Sequence, residues 1–238
     1  MTYLTSDLHG YSLRGLLEFL YEKLLYDSEE DSLYVLGDVI DRGVHGIELL
    51  RWMMKEPSVE LLMGNHEAMM LSSMELLLGD VKKEKSPEER EEELSILDAW
   101  FDNGGVPTFK AFRKLSGPKQ RDLLDYLRDC PLYRVLETDA GTYILVHGGF
   151  ENFSPERKLS SYKPEELLWT RPDFERERYF NRDDITVIVG HTPTMLIGNG
   201  EYARRFYLGR DLICLDTGSG YGARPGFLCL ETMEALYL

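Results

Sequence analysis

The chain has 238 residues, 43% of them hydrophobic, and its 27 basic against 42 acidic side chains leave a formal net charge of −15. That length fits one domain with room for an inserted subdomain, and the apolar share supports a sizeable core, which excludes wholesale disorder. No apolar run approaches the ~20 residues of a membrane-spanning helix, and the acidic excess argues against nucleic-acid binding, which needs a basic footprint.

The first residues, Met1 to Asp7, carry no basic n-region and no apolar h-region, so no secretory signal is expected and the mature chain is taken to start here. Within them Tyr3 to Thr5 predicts a short buried strand. Leu13 to Leu25 then places Leu13, Leu16, Leu17, Leu20 and Leu24 at helical spacing. A strand over Leu33 to Leu36, a helix over Ile47 to Met54 and a strand over Val59 to Met63 complete a βαβαβ pattern, the mark of an α/β architecture.

From Leu71 to Leu136 no strand is expected. Ser86-Pro87-Glu88-Glu89 predicts a capping box with proline at the first helical position, opening a helix with Leu94, Leu97, Trp100 and Phe101 on one face and ending at Asn103-Gly104-Gly105. A second helix spans Pro118 to Arg128. The expectation is a single domain over residues 1–238 with a helical insertion, 71–136, packed beside the sheet. The charged run from Lys82 to Glu93 fits a solvated helix face better than a binding tail. Further strands are predicted over Tyr143 to Val146, Ile185 to Val189, Leu212 to Leu215 and Phe227 to Leu230. Cys130, Cys214 and Cys229 form no CxxC pair and are expected as buried thiols of a cytoplasmic protein.

The residues just past the strands carry the chemistry. Asp7-Leu8-His9-Gly10 comes after the first, Gly37-Asp38-Val39-Ile40-Asp41-Arg42-Gly43 after the second, and Gly64-Asn65-His66-Glu67 after the third. His147-Gly148-Gly149 and Gly190-His191-Thr192-Pro193 come after two later ones. Taken singly, each is an ordinary turn or a surface ion pair. Together, four of the five histidines stand at strand ends, where open α/β sheets bind ligands, and only His45 is left for an exposed or helix-start position. Carboxylate, amide and imidazole donors without thiolate suit divalent first-row metals. The donors are too many for one ion, whereas two ions about 3.5–4 Å apart could share one aspartate.

The ordered set SDLHG, GDVIDRG, GNHE, HGG and GHTPT resembles the phosphoprotein phosphatase branch of the calcineurin-like metallophosphoesterases, in particular its compact bacterial and phage members. The Trp100–Gly105 and Leu215–Gly222 runs are similar to segments of bacterial members. The resemblance implies a four-layer α/β (α+β) sandwich, two packed mixed sheets flanked by helices, with a dinuclear site at the rim. It implies Asp7, His9 and the bridging Asp38 on one metal, and Asp38, Asn65, His147 and His191 on the other. It further implies His66 as general acid, Asp41 as the carboxylate orienting it, and Arg42 and Arg171 as phosphate clamps, with Asn65 beside them. The motif departs from the family at Ser6, where glycine is usual, and at Val44-His45-Gly46. Pro193 stands where many phosphodiesterases carry a second histidine, which disfavours those enzymes.

The reaction expected on this basis is phosphomonoester hydrolysis by a hydroxide bridging two divalent ions, manganese first, with iron, zinc, cobalt or nickel as alternatives. The preferred substrate is a phosphorylated protein or peptide, as for serine/threonine phosphatases. The alternative is a dinucleoside polyphosphate such as diadenosine tetraphosphate, and a third reading is a catalytically dead scaffold. Glu67, where many dinucleotide hydrolases carry aspartate, tilts the expectation towards a phosphatase, although a carboxylate at a helix start also serves as a cap. Arg171 has a competing reading as a surface ion pair with Asp173 or Glu175. No nucleic-acid or membrane partner is expected, and oligomeric state is not legible.

Overall fold

The computed structural model describes residues 1–78, 86–174, 179–180 and 182–238. The chain opens β1 (Thr2–Thr5), α1 (Leu13–Glu18), β2 (Ser32–Val35), α2 (Gly46–Met53), β3 (Val59–Leu61) and α3 (Asn65–Leu78). Helices α4 (Pro87–Asp102), α5 (Val106–Phe112) and α6 (Gly117–Asp129) follow, then β4 (Tyr133–Thr138), β5 (Gly141–Val146), α7 (Pro164–Leu168) and β6 (Ile185–Val189). The last strands are β7 (Tyr207–Leu208), β8 (Leu212–Cys214), β9 (Gly226–Cys229) and β10 (Glu234–Tyr237).

Two mixed five-stranded sheets result, ordered β10-β9-β1-β2-β3 and β4-β5-β6-β8-β7. Strands β1, β2 and β3 run parallel, as do β5, β6 and β8. Their alternation builds the layers, because successive side chains point to opposite faces. Leu4, Leu145, Ile188 and Ile213 turn inward to a core shared by the two sheets. Their neighbours Tyr3, Val35 and Val59 turn outward against α1 to α6, while Ile144, Val187 and Cys214 turn outward against Phe150, Tyr162 and Leu167. Each buried leucine or valine contributes roughly 1.5–3 kcal/mol.

Where the structure departs from expectation, the reason is position within the sheets. Tyr133–Leu136, placed by the sequence in the helical stretch 71–136, begin β4; β7 and β10 were also not foreseen. All three are edge strands with half-exposed residues, so none needs the continuous apolar run of a buried strand. Helix α3 starts at Asn65, six residues before the expected stretch. Helix α1 stops at Glu18 and continues as a π-helical turn, Phe19–Lys23, short of Leu25. Part of the charged run Lys82–Glu93 lies outside the described residues. The three cysteines are free, Cys214 and Cys229 buried and Cys130 half-buried. Among the described residues no helix is long and apolar enough to cross a membrane.

Candidate active site and metal centre

Because the strands of each parallel set point the same way, their carboxyl ends meet along one rim. Asp7 and His9 follow β1, Asp38, Asp41 and Arg42 follow β2, Asn65 and His66 open α3 after β3, and His147 and His191 follow β5 and β6. Apart from the half-buried Arg42, all of these are buried. Six of them hold left-handed backbone: Asp7 (φ 53°), His9 (42°), Asp38 (56°), Asp41 (69°), Arg42 (63°) and His191 (62°). Each such non-glycine residue costs about 1–3 kcal/mol and persists only where neighbours enforce it. Here the turns brace one another: Asp7 N–H donates to Gly37 O at 3.1 Å, His9 N–H to Asp38 O at 2.9 Å and Gly10 N–H to Val39 O at 2.7 Å. At Gly64 the approach is so close that a Cβ would strike the Asp38 amide and carboxylate.

Asp38 is the centre. Its Oδ1 lies 3.3 Å from His147 Nε2, and its Oδ2 lies 3.8 Å from both His9 Nε2 and His66 Nε2. His9 Nε2 is also 3.8 Å from Asp7 Oδ1, and His147 Nε2 is 2.9 Å from Asn65 Oδ1. Main-chain carbonyls face the opposite ring nitrogens, Ile40 O at 3.1 Å from His9 Nδ1 and Leu36 O at 2.6 Å from His147 Nδ1. Such carbonyls fix the tautomer that leaves Nε2 free as a ligand. His191 N–H donates to Asp7 Oδ2 at 2.9 Å, and Ser6 Oγ–H donates to the same oxygen.

The electrostatics are those of a cation site. Burial and the neighbouring Asp38 push Asp7 up to about 6. Burial would lower His147, yet Asp38 and Asp7 raise it to about 10. Burial would raise Asp38, but His147, His66 and His9 hold it well below the usual carboxylate range. Burial lowers His9 and His191 to about 3, keeping both imidazoles neutral.

Two sets of donors, His9–Asp38–His66 and Asp38–His147–His191, each lie within 4.8 Å of one another and share Asp38. His191 Nε2 is buried without a hydrogen-bond partner among the described residues. An orphaned imidazole nitrogen and an oxygen/nitrogen donor set converging on one carboxylate together fit divalent metal.

His66 stands apart from His9 and His147 because its Nδ1 faces a carboxylate, Asp41 Oδ2 at 2.7 Å, and not a main-chain carbonyl. Burial would lower its pKa, but Asp38 and Asp41 raise it above the usual value. Arg42 Nη2 is 3.4 Å from His66 Nε2, and the Arg42 guanidinium lies 4.7 Å over the Tyr221 ring. Arg171 Nη1 donates to His191 O at 2.7 Å, which brings it into the site; Glu175, a suggested surface partner, lies outside the described residues. An open cleft of about 410 Å³ is lined by Asp7, His9, Asp38, Arg42, Asn65, His66, Arg171 and His191 together with Asn103, Trp169, Asp216 and Tyr221. His45 is at the start of α2, with Nδ1 2.8 Å from Glu48.

Glu67 is fully buried below the cleft. Its carboxylate accepts from the N–H groups of Asp38 (2.8 Å), Val39 (2.9 Å), Ile40 (3.3 Å) and Gly64 (3.2 Å). The side chain ties two strand-end turns together and does not line the cleft, so the substrate preference drawn from it does not stand. Sequence reasoning also missed Asp216, whose carboxylate accepts from Gly218 N–H at 2.8 Å. Burial and the neighbouring Asp7 hold its pKa well above the usual carboxylate range. The signal that had located the other acids, a carboxylate just past a strand, was present after β8.

A sequence profile described as calcineurin-like phosphoesterase matches residues 2–218. The chain belongs to the calcineurin-like phosphoesterase family. Among family relatives it is 30% identical over 162 residues to the symmetrical bis(5'-nucleosyl)-tetraphosphatase of Haemophilus ducreyi, covering 67% of this chain and 48% of that protein. The chain thus spans about half the length of the curated relatives it matches. Its fold is similar to that of a candidate diadenosine tetraphosphatase (TM-score 0.63, 17% identity, 100% of this chain and 92% of the other). It is also similar to a cold-active protein-tyrosine phosphatase of a psychrophilic Shewanella (TM-score 0.55, 18% identity, 95% and 74%).

Proposed function

We propose that this family member is a divalent-metal phosphoester hydrolase acting on a dinucleoside polyphosphate of the diadenosine tetraphosphate type. The observation that carries the hydrolase reading is the pair of donor sets sharing Asp38 at a cleft lined by His66 and Arg42, with Asp41 buried behind His66. The substrate reading is supported by the names of the relatives, symmetrical tetraphosphatases, and by the structural role of Glu67, which removes the reason to prefer a phosphoprotein. In this reading the chain is one domain, 1–238, with the helices between β3 and β4 as its insertion.

Asp7, His9 and Asp38 would hold one ion, and Asp38, Asn65, His147 and His191 the other, with manganese the expected metal. When bound, the ions supply positive charge to the phosphoryl oxygens and acidify water. The chain supplies the rest. Arg42 and Arg171 give fork-shaped donors that strengthen as charge spreads over those oxygens. His66 holds a proton at Nε2 for the leaving oxygen, while Asp41 fixes Nδ1–H and stabilises the imidazolium.

One observation favours a second substrate class. A histidine whose proton affinity is raised by a buried carboxylate is most useful when the leaving oxygen is strongly basic, as in phosphoserine, and least useful for the weakly basic phosphate of an anhydride. The deciding experiment is a panel of diadenosine tetraphosphate, a phosphoserine peptide and an aryl phosphate on manganese-loaded protein, with metal quantified in the same sample. Two ions per chain and the highest kcat/KM on the dinucleotide, with ADP released, are expected. Preference for the peptide overturns the dinucleotide assignment, and no turnover of any substrate with both ions bound leaves only the scaffold reading.

A further inference from the structure

The groups that hold Asp41 come from the helices between β3 and β4. Trp100 Nε1–H, near the end of α4, donates to Asp41 Oδ2 at 2.8 Å, the same oxygen that faces His66 Nδ1 at 2.7 Å. Asp41 Oδ1 is buried and has no hydrogen-bond partner among the described residues, so both contacts fall on one side of the carboxylate. The Asp41 N–H donates to Thr108 Oγ1 at 2.9 Å, and the next N–H, of Arg42, donates to Gly104 O at 2.9 Å. Four hydrogen bonds thus converge on two consecutive residues in left-handed backbone, three of them from residues 100–108. The indole is fully buried, 5.6 Å from the Phe101 ring and 6.2 Å from the Phe109 ring, and a Cβ on Gly105 would strike it.

A carboxylate with one bare oxygen can rotate. With a fixed indole N–H on Oδ2, the rotamer that presents this oxygen to His66 is selected and the His66–Asp41 hydrogen bond is held in place. We propose that Trp100 is a positioning residue for His66, acting through Asp41, so that the inserted helices set the geometry of the proton donor while Gly104 sets that of Arg42. This rests on the reading of His66 as the proton donor. The competing account is that a buried indole N–H simply needs an acceptor, with no consequence for His66.

The test compares wild type, Trp100→Phe and His66→Asn, each manganese-loaded, on an alkyl phosphate (phosphoserine peptide) and on p-nitrophenyl phosphate, whose leaving group needs no proton. For Trp100→Phe the alkyl-to-aryl ratio of kcat should fall by about tenfold, part of the roughly 10²–10⁴-fold that positioned proton transfer supplies, with KM unchanged. In the metal-free protein the His66 Nδ1–H NMR resonance should move upfield. For His66→Asn the ratio should fall further. An unchanged ratio and resonance in Trp100→Phe overturn the positioning role. An unchanged ratio in His66→Asn instead overturns the proton-donor reading itself. Should Trp100→Phe not fold, site-specific 3-benzothienylalanine at position 100, which replaces the indole N–H by sulfur at nearly constant shape, is read by the same two measurements.

Discussion

Glu67 shows how one side chain can look functional in sequence and be structural in space. Next to His66 in the GNHE run it invites a substrate role, yet among the described residues its carboxylate accepts hydrogen bonds from main-chain N–H groups of two neighbouring turns. Glu67→Ala would leave four buried donors unpaired, and we expect a loss of about 3–5 kcal/mol in denaturant unfolding. Glu67→Asp should shorten the reach to those donors without changing the ratio of dinucleotide to phosphoserine turnover. Trp100 is the opposite case. Its place on the apolar face of a helix reads as core, and it is core, but its N–H meets Asp41 across 59 residues of chain. No local pattern announces that contact, because the pairing is made only when α4 packs beside the β2–α2 turn.

At the level of elements, the strands legible in the sequence were those with buried apolar side chains, Tyr3–Thr5, Ile185–Val189 and Phe227–Leu230 among them and the short edge β3 as well, whereas the more exposed edges β4, β7 and β10 were not. Burial writes an apolar run, even at the edge strand β3, where Val59 and Leu61 are buried; a half-exposed edge writes none. The turns after the strands were legible for a different reason, since each combines a glycine with a ligating side chain. At Gly64 the glycine is required by close approach and not by a turn, because its neighbour is the Asp38 carboxylate. Gly64→Ala must therefore displace Asp38. We expect metal affinity, followed by calorimetric titration, to fall about 10–100-fold, as it does when supports of a metal ligand are disturbed.

Across the whole molecule, the net charge of −15 and a site for anionic substrates are compatible because the two act at different ranges. Within the cleft Asp7, Asp38 and Asp216 are buried close together, and burial and mutual repulsion raise Asp7 and Asp216. Divalent cations relieve that repulsion only in the folded chain, so binding should stabilise it. An ion at 100 times its dissociation constant adds about 2.7 kcal/mol, which for a domain of this size is about 5–10 °C in melting temperature. Chelation should lower the wild-type melting point by that amount, and Asp38→Asn, lacking the shared ligand, should show little response to manganese in the same melting assay.

The sequence by itself determined the α/β class, the strand ends and the candidate donors, since burial and ligation both depend on residue type and local spacing. The tertiary structure alone decided that β1 to β3 of one sheet and β6 and β8 of the other open onto one cleft. It also decided that Arg171 turns into that cleft, that Glu67 does not face it, and that Trp100 reaches Asp41. Those are relations between residues tens to hundreds of positions apart, and only the packing of two sheets and their covering helices brings such residues within hydrogen-bond distance.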